Sequence, residues 1–140
     1  MAVTAANVRP LNGAITRPGK AGGNVEMGQP VYKASDGDWE VSDANVSAVI
    51  AAARGVVVAV NDPGDTTAVD GDAITVCVFG PVGGYSGLTP GATQFVSATV
   101  GTLTETAPTG ATNWEHAVGY AEAADILFVS PGIAAPISKS

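Results

Sequence analysis

The sequence predicts a mostly β protein: a small antiparallel β-barrel or sandwich, internally duplicated, with one short helix and an extended N-terminal arm. Three observations predict this. Landmarks recur in the same order along the chain. Gly28 and Tyr32, the turn Asp36-Gly37-Asp38, the strand opened by Gly55 and the run Gly71 to Val76 come first. Gly91 and Phe95, a turn at Gly101, Gly119 and the run Asp125 to Val129 come second. Short alternating segments are also separated by Gly, Pro and Asp clusters roughly every 8–12 residues, the spacing of strands in an all-β domain. Finally, the chain has 18 glycines and only 6% aromatic residues, and much of its 46% hydrophobic content is Ala and Val. Such a chain builds a thin core between closely spaced strands.

Each element has a local cause. Residues 1–24 hold two prolines and four glycines and read as an extended arm, although Val3 to Val8 has the makings of an edge strand. The domain proper spans 25–132, and 133–140 read as a tail beyond Pro131. Gln29–Lys33 and Trp39–Val41 flank Asp36-Gly37-Asp38, and Asp-Gly between apolar flanks is a strong hairpin signal. Ser42 to Arg54 is the helix candidate. Val46, Val49, Ile50 and Ala53 share a helical face, Ser42 or Asp43 stands at the cap, and Gly55 follows the end. An irregular loop is the alternative. Gly55–Val60 and Ala73–Phe79 are strands, the second alternating and β-branched. Gly80–Gly91, with five glycines, reads as a long loop. Gln94–Ala98 pairs with Gly101–Thr106, and Glu115–Ala121 with Ile126–Ser130 close the fold.

Charge excludes some functions. The net charge is −7, so nucleic acid, which needs clustered Lys and Arg, is not an expected partner. The cations are segregated. Arg9, Arg17 and Lys20 lie in the first 25 residues without an acid, while residues 26–140 hold all 13 acids against three cations, a net −10. A solvated tail explains this, and so does an arm docked on an acidic surface of its own body or of a partner. No apolar run approaches the roughly 18 residues that span a bilayer, so no membrane is expected. The first residues lack the apolar stretch of a signal peptide, so synthesis and assembly in a cytoplasm are expected.

Chemistry finds no foothold. Cys77 is the single cysteine and sits in the alternating strand, the place of a small buried hydrophobe. His116 is the single histidine and has no evident polar partner for proton transfer. Gly84-Tyr85-Ser86-Gly87 lacks the spacing of a nucleophile elbow, and the glycine-rich stretch Gly80–Gly87 lacks the Lys-Ser/Thr ending of a phosphate loop. The Asp36/Asp38/Glu40 and Asp62/Asp65/Asp70/Asp72 clusters do not match a calcium loop. No enzyme activity, cofactor or metal is expected. The surfaces that suit a partner are the basic residues Arg9, Arg17 and Lys20 and the glycine-rich residues Gly83, Gly84 and Tyr85.

Taken together, the phrases Gly28-Gln-Pro-Val-Tyr32, Gly55-Val-Val-Val-Ala59, Gly71-Asp72 through Val76, Gly80-Pro-Val-Gly83, Leu88-Thr-Pro-Gly91, Gln94 to Ser97, Gly101-Thr-Leu-Thr104, His116 to Ala121 and Ile126 to Val129 resemble the small decoration, or cement, proteins of tailed-bacteriophage capsids. The resemblance covers about residues 25–130. It implies a non-enzymatic virion protein on the outside of an icosahedral shell, held by the major capsid protein, commonly as a homotrimer. It transfers no site residue. A phage tail or fibre module shares the same composition. A secreted carbohydrate-binding β-sandwich, with Trp39, Trp114 and Tyr85 as a sugar platform, is the remaining alternative.

Overall fold

The computed structural model describes residues 2–139. The chain is built from short strands around one long one. β1 (Ala2–Val3), β2 (Arg9–Pro10), β3 (Ile15–Lys20) and β4 (Val25–Glu26) come first. The hairpin β5 (Pro30–Lys33) and β6 (Trp39–Val41) follows, with Val31 opposite Val41 and Lys33 opposite Trp39. Its turn works as the sequence predicts: Gly37 takes φ +92°, which L side chains resist, and Asp36 Oδ1 accepts from the Asp38 N–H.

The helix is much shorter than its apolar spacing suggests. α1 covers only Ala48–Ala51. The cap is Ser47, whose Oγ accepts from the Ile50 N–H at 3.3 Å, rather than Ser42 or Asp43. Ser42 is instead fully buried, its N–H bonded to the Pro30 carbonyl. Val46 and Val49, read as a buried face, are 59% and 64% exposed. The spacing is helical, but no apolar surface lies opposite most of it. By Arg54 the chain is back on the sheet, its N–H donating to the Val31 carbonyl.

β7 (Gly55–Val60), β8 (Thr67–Ala68), β9 (Ala73–Gly83) and β10 (Tyr85–Ser86) follow. β9 runs past the point where a loop is expected: Gly80 to Gly83 continue the strand and pair with Val129 to Ile126. Gly80 makes this possible at φ +111°, in a place where a Cβ would meet the Ala14 Cα at 2.7 Å. The remaining elements are β11 (Thr93–Val96), β12 (Leu103–Thr104), β13 (Trp114–Glu115), β14 (Ala117–Ala123), β15 (Ile126–Val129) and β16 (Ile137–Ser138).

The main sheet runs in the order β12-β11-β14-β15-β9-β7-β5-β6, a curled antiparallel half-barrel that reads the same from either end. The recurring sequence landmarks recur here as register. Val31 faces Gly55 and Gln94 faces Gly119. Tyr32 faces Glu40 and Phe95 faces Thr104. Val57 and Ala59 face Val76 and Thr75 across a bulge at Val58, while Ala121 and Ala123 face Leu127 and Ile126 across a bulge at Glu122. The N–H of Gly28 reaches the Val57 carbonyl at 2.8 Å, and that of Gly91 reaches Ala121 at 2.7 Å.

Two cores result. The larger contains Val56, Val58 and Cys77 from the first half together with Val118, Ala121, Leu127 and Val129 from the second. The smaller covers the other face of the first half: Val31, Val57, Ile74 and Val76 under Ala21, Val25, Trp39 and Ala68. β9 therefore buries side chains on both faces, which explains its β-branched run.

The first segment is not a free arm. Arg9 to Lys20 run antiparallel along β9, from Arg9 opposite Gly83 to Lys20 opposite Ala73, and β1 pairs with β10. Glycine and proline suit this course because β3 pairs only with β9 among the described residues, and Pro18 needs no ladder donor on an edge strand. The C-terminal segment also returns to the body. β16 pairs with β13, Arg54 Nη1 donates to the Gly132 carbonyl at 2.8 Å, and Lys139 Nζ meets Glu115 Oε1 at 2.7 Å. Residues 2–24 and 133–139 thus pack against the body rather than standing apart from it.

Candidate functional site

Of the six residues that suit a partner by sequence, three lie exposed along one strand edge. Arg9, Arg17 and Lys20 are exposed and fixed along one edge of β9 by the β2 and β3 ladders. Arg9 donates from Nη1 to the Asn7 carbonyl at 3.0 Å and lies over Gly83, 3.4 Å from where a Cβ would stand. The basic charge is therefore held in place by backbone pairing. It also guards the edge: Arg17, Pro18 and Lys20 all disfavour the addition of another strand.

The other three are packed into the body, Gly83 and Tyr85 buried and Gly84 half-buried. Gly83 is buried beneath Arg9, and Gly84, at φ +108°, packs so closely that a Cβ would meet the Val8 Cα at 2.6 Å. Tyr85 is 5% exposed, and its hydroxyl donates to the Gly28 carbonyl at 2.9 Å. Burial pushes its phenol far above the ordinary range. The stretch read as a conformable contact loop is thus a strand and a buried anchor. Glycine here allows close backbone approach, which its composition shares with flexible loops. The proposed sugar platform does not assemble either. Trp39 and Tyr85 lie in separate cores.

Several titratable groups are engaged within the fold. His116 is 4% exposed, and its Nε2 lies 3.0 Å from the Ala53 carbonyl. A carbonyl only accepts, so Nε2 carries the proton. Burial lowers the His116 pKa, and nearby Arg54 adds to this against the hydrogen bond. Burial raises the Cys77 thiol pKa, against a hydrogen bond to the Phe79 carbonyl, and so favours the protonated thiol. Glu105 accepts from the Thr89 N–H at 2.7 Å, from Gln94 Nε2 at 2.9 Å and from the Thr89 hydroxyl at 2.9 Å. Those bonds lower its pKa, the Thr89 N–H contributing most. It staples the β11 hairpin. Several turn carboxylates are likewise engaged locally: Asp43 Oδ1 accepts from the Asn45 N–H and Asp72 Oδ2 from the Val69 N–H. Among the described residues, no three His, Cys, Asp or Glu side chains converge as metal ligands would. The cavity beside Tyr85, lined by Val3, Gly28 and Leu103, holds only about 90 Å³.

A second surface escapes the sequence reading. Tyr120, Phe128 and Phe79 form a row on the outer face of β14, β15 and β9. Tyr120 stacks on Phe128 with ring centroids 5.3 Å apart, and Phe79 meets Phe128 edge-on at 5.2 Å. Tyr120 is 41% exposed and Phe79 46%. The signal is present in the alternation: Leu127 and Val129 flank Phe128, so burying them turns its ring outward. Comparison with known protein families and with curated proteins finds no match to this chain.

Proposed function

We propose that this protein is a structural decoration protein of a tailed-phage capsid, binding the outside of the icosahedral shell through its major capsid protein and stabilising it without catalysis. The observation that carries this reading is the fixed segregation of charge. Arg9, Arg17 and Lys20 stand along a single strand edge of a body that otherwise carries a net −10. A rigid basic edge on an acidic body has one preferred orientation against an acidic shell, and complementary charge of this kind fixes register and speeds encounter. The phrases that resemble decoration proteins support the same reading, since they are the strands and turns of the half-barrel. A binder that contacts only the assembled shell stabilises it by mass action, by roughly 2.7 kcal/mol per site at a hundredfold excess over Kd.

The test uses purified particles with and without the protein. Wild-type protein co-sediments with the particles and raises the temperature of heat-induced genome release. The double variant Arg17→Glu with Lys20→Glu, altered only at exposed edge positions, binds at least tenfold more weakly. Equal occupancy of wild type and variant refutes the basic edge as the docking surface. Absence of wild-type binding refutes the decoration role.

A further inference from the structure

The link between β2 and β3 carries the dipeptide Asn12-Gly13, the one Asn-Gly pair in the chain. It forms a tight turn. The Ala14 N–H donates to the Leu11 carbonyl at 3.0 Å, and Gly13 takes φ +98°, the mark of a type II turn. Asn12 and Gly13 are both exposed, and a Cβ on Gly13 would meet nothing within 4 Å. Among the described residues, neither the Asn12 side chain nor the Gly13 N–H has a hydrogen-bond partner. The asparagine amide therefore stands in water beside a backbone nitrogen that no side chain shields.

The flanks of this turn are held as firmly as its tip is free. Pro10 lies opposite Val82, Ile15 lies opposite Phe79, and the Leu11 N–H donates to the Pro81 carbonyl at 2.9 Å. Gly80 approaches the turn so closely that a Cβ there would stand 2.7 Å from the Ala14 Cα and 3.0 Å from the Gly13 carbonyl oxygen. Arg9 and Arg17 stand on either side along the same edge, and the first 25 residues contain no acidic side chain.

We propose that Asn12 is a site of spontaneous modification, where the exposed amide is converted to a carboxylate with Gly13 as the attacking neighbour. Asparagine is among the thermolabile residues. The Gly13 nitrogen bonds to Asn12 Cγ, and the bond from Cγ to its amide nitrogen breaks. Ammonia leaves with the proton that the Gly13 nitrogen gives up, and a cyclic imide remains. Water then opens the ring, its hydroxyl joining one carbonyl carbon and its proton returning to the Gly13 nitrogen. Opening at Cγ gives aspartate. Opening at the main-chain carbonyl gives isoaspartate, whose backbone runs through Cβ and Cγ. The first step needs one rotation of the Asn12–Gly13 peptide plane. Type I and type II turns differ by such a rotation and share the closing hydrogen bond, and glycine accepts both. The other asparagines, Asn7, Asn24, Asn45, Asn61 and Asn113, all precede residues that carry a Cβ, and Asn45 and Asn113 are hydrogen-bonded as well. The basic edge thus receives its first acid, between Arg9 and Arg17, which weakens its complementarity to any acidic surface. Isoaspartate also adds one backbone atom to a turn that has no slack against Gly80. The chemistry needs no shell, so it stands or falls separately from the decoration role.

The test ages the full chain alone in mildly alkaline buffer, below its melting temperature. Peptide mapping by mass spectrometry and enzymatic labelling of isoaspartate follow each asparagine. Aspartate and isoaspartate accumulate at Asn12 at least tenfold faster than at any of the other asparagines. Aged wild type melts at a lower temperature than fresh protein, and aged Asn12→Gln melts where it did when fresh. Fresh Asn12→Asp, which carries the charge without the longer backbone, melts above the aged wild type. Conversion at Asn12 no faster than elsewhere overturns the site. A modified wild type that melts as fresh protein does, or an equal loss in aged Asn12→Gln, overturns its effect on the turn.

Discussion

Gly55 and Gly119 occupy the same point in the two halves, each with a main-chain carbonyl where a side chain would stand: that of Cys77 for Gly55 and that of Phe128 for Gly119. Each also faces the middle of its hairpin strand, Val31 in one case and Gln94 in the other. Neither glycine has a positive φ, so what excludes a side chain here is crowding: by main chain at Gly119, by main chain and the Val76 side chain at Gly55.

Gly55→Ala and Gly119→Ala are therefore expected to destabilise the protein by about 1–3 kcal/mol each, the cost of forcing extra atoms into a packed site. A Cβ on Gly55 lies 2.5 Å from the Cys77 oxygen, which belongs to the ladder and has little room to yield. Urea denaturation measures the effect. Unchanged midpoints would mean the ladders open freely at these points.

Tyr85 joins the start of the chain to its middle through one buried bond, from its hydroxyl to the Gly28 carbonyl at 2.9 Å. Tyr85→Phe keeps the ring and leaves that carbonyl without its donor, at a cost of about 1–3 kcal/mol. A loss of folding free energy with an unchanged denaturant slope is the expected result. A change within error of zero would show that water replaces the hydroxyl.

His116 gives the fold a pH dependence. Its folded pKa is lowered from 6.5, chiefly by burial, so the unfolded chain binds this proton more readily than the folded one does. Its contribution is fully present above pH 6.5 and declines as pH falls from there toward the folded pKa. His116→Gln removes this component. The wild type should lose stability as pH drops below 6.5, and the variant should show a flatter profile over that window. Parallel profiles would exclude His116 as the source.

Removing residues 1–20 is expected to abolish cooperative unfolding, because β2 and β3 supply a full ladder to β9 and Val8 belongs to the larger core. Circular dichroism and thermal melting check this. A truncated protein with a wild-type melting curve would show that β9 holds its place without its neighbour.

Much of the body was legible in the residues. The β5–β6 hairpin follows from Asp36-Gly37, β7 from its valines, and the β14–β15 pair from alternating apolar residues. The misreadings share a physical cause. Glycine and proline were taken as marks of irregular backbone at 15–20 and 80–83, where they instead serve edge pairing and close approach. Helical spacing over Val46 to Ala53 was taken as burial, whereas only tertiary contact decides which face is covered. The basic residues of the candidate site were legible as charge, but their alignment along one edge was not. That required knowing that 9–20 lie against 73–83. The aromatic row was hidden for a related reason. Phe79, Tyr120 and Phe128 come from three strands, and no local pattern shows that they meet.

The placement of β9 also governs when this protein can fold. Its partners come from near both ends of the chain: residues 9–20 on one side of the sequence, 126–129 on the other. Closing such distant loops costs chain entropy before any contact rewards it. Folding is accordingly expected to be slow for the chain's size, and the central strand gains its last partner only when Ile126 to Val129 have left the ribosome. Until then Gly80 to Gly83 lack the strand that Ile126 to Val129 lay beside them. The newly made chain is most prone to aggregation in that interval, and β15 ends it by arriving last of the main-sheet strands.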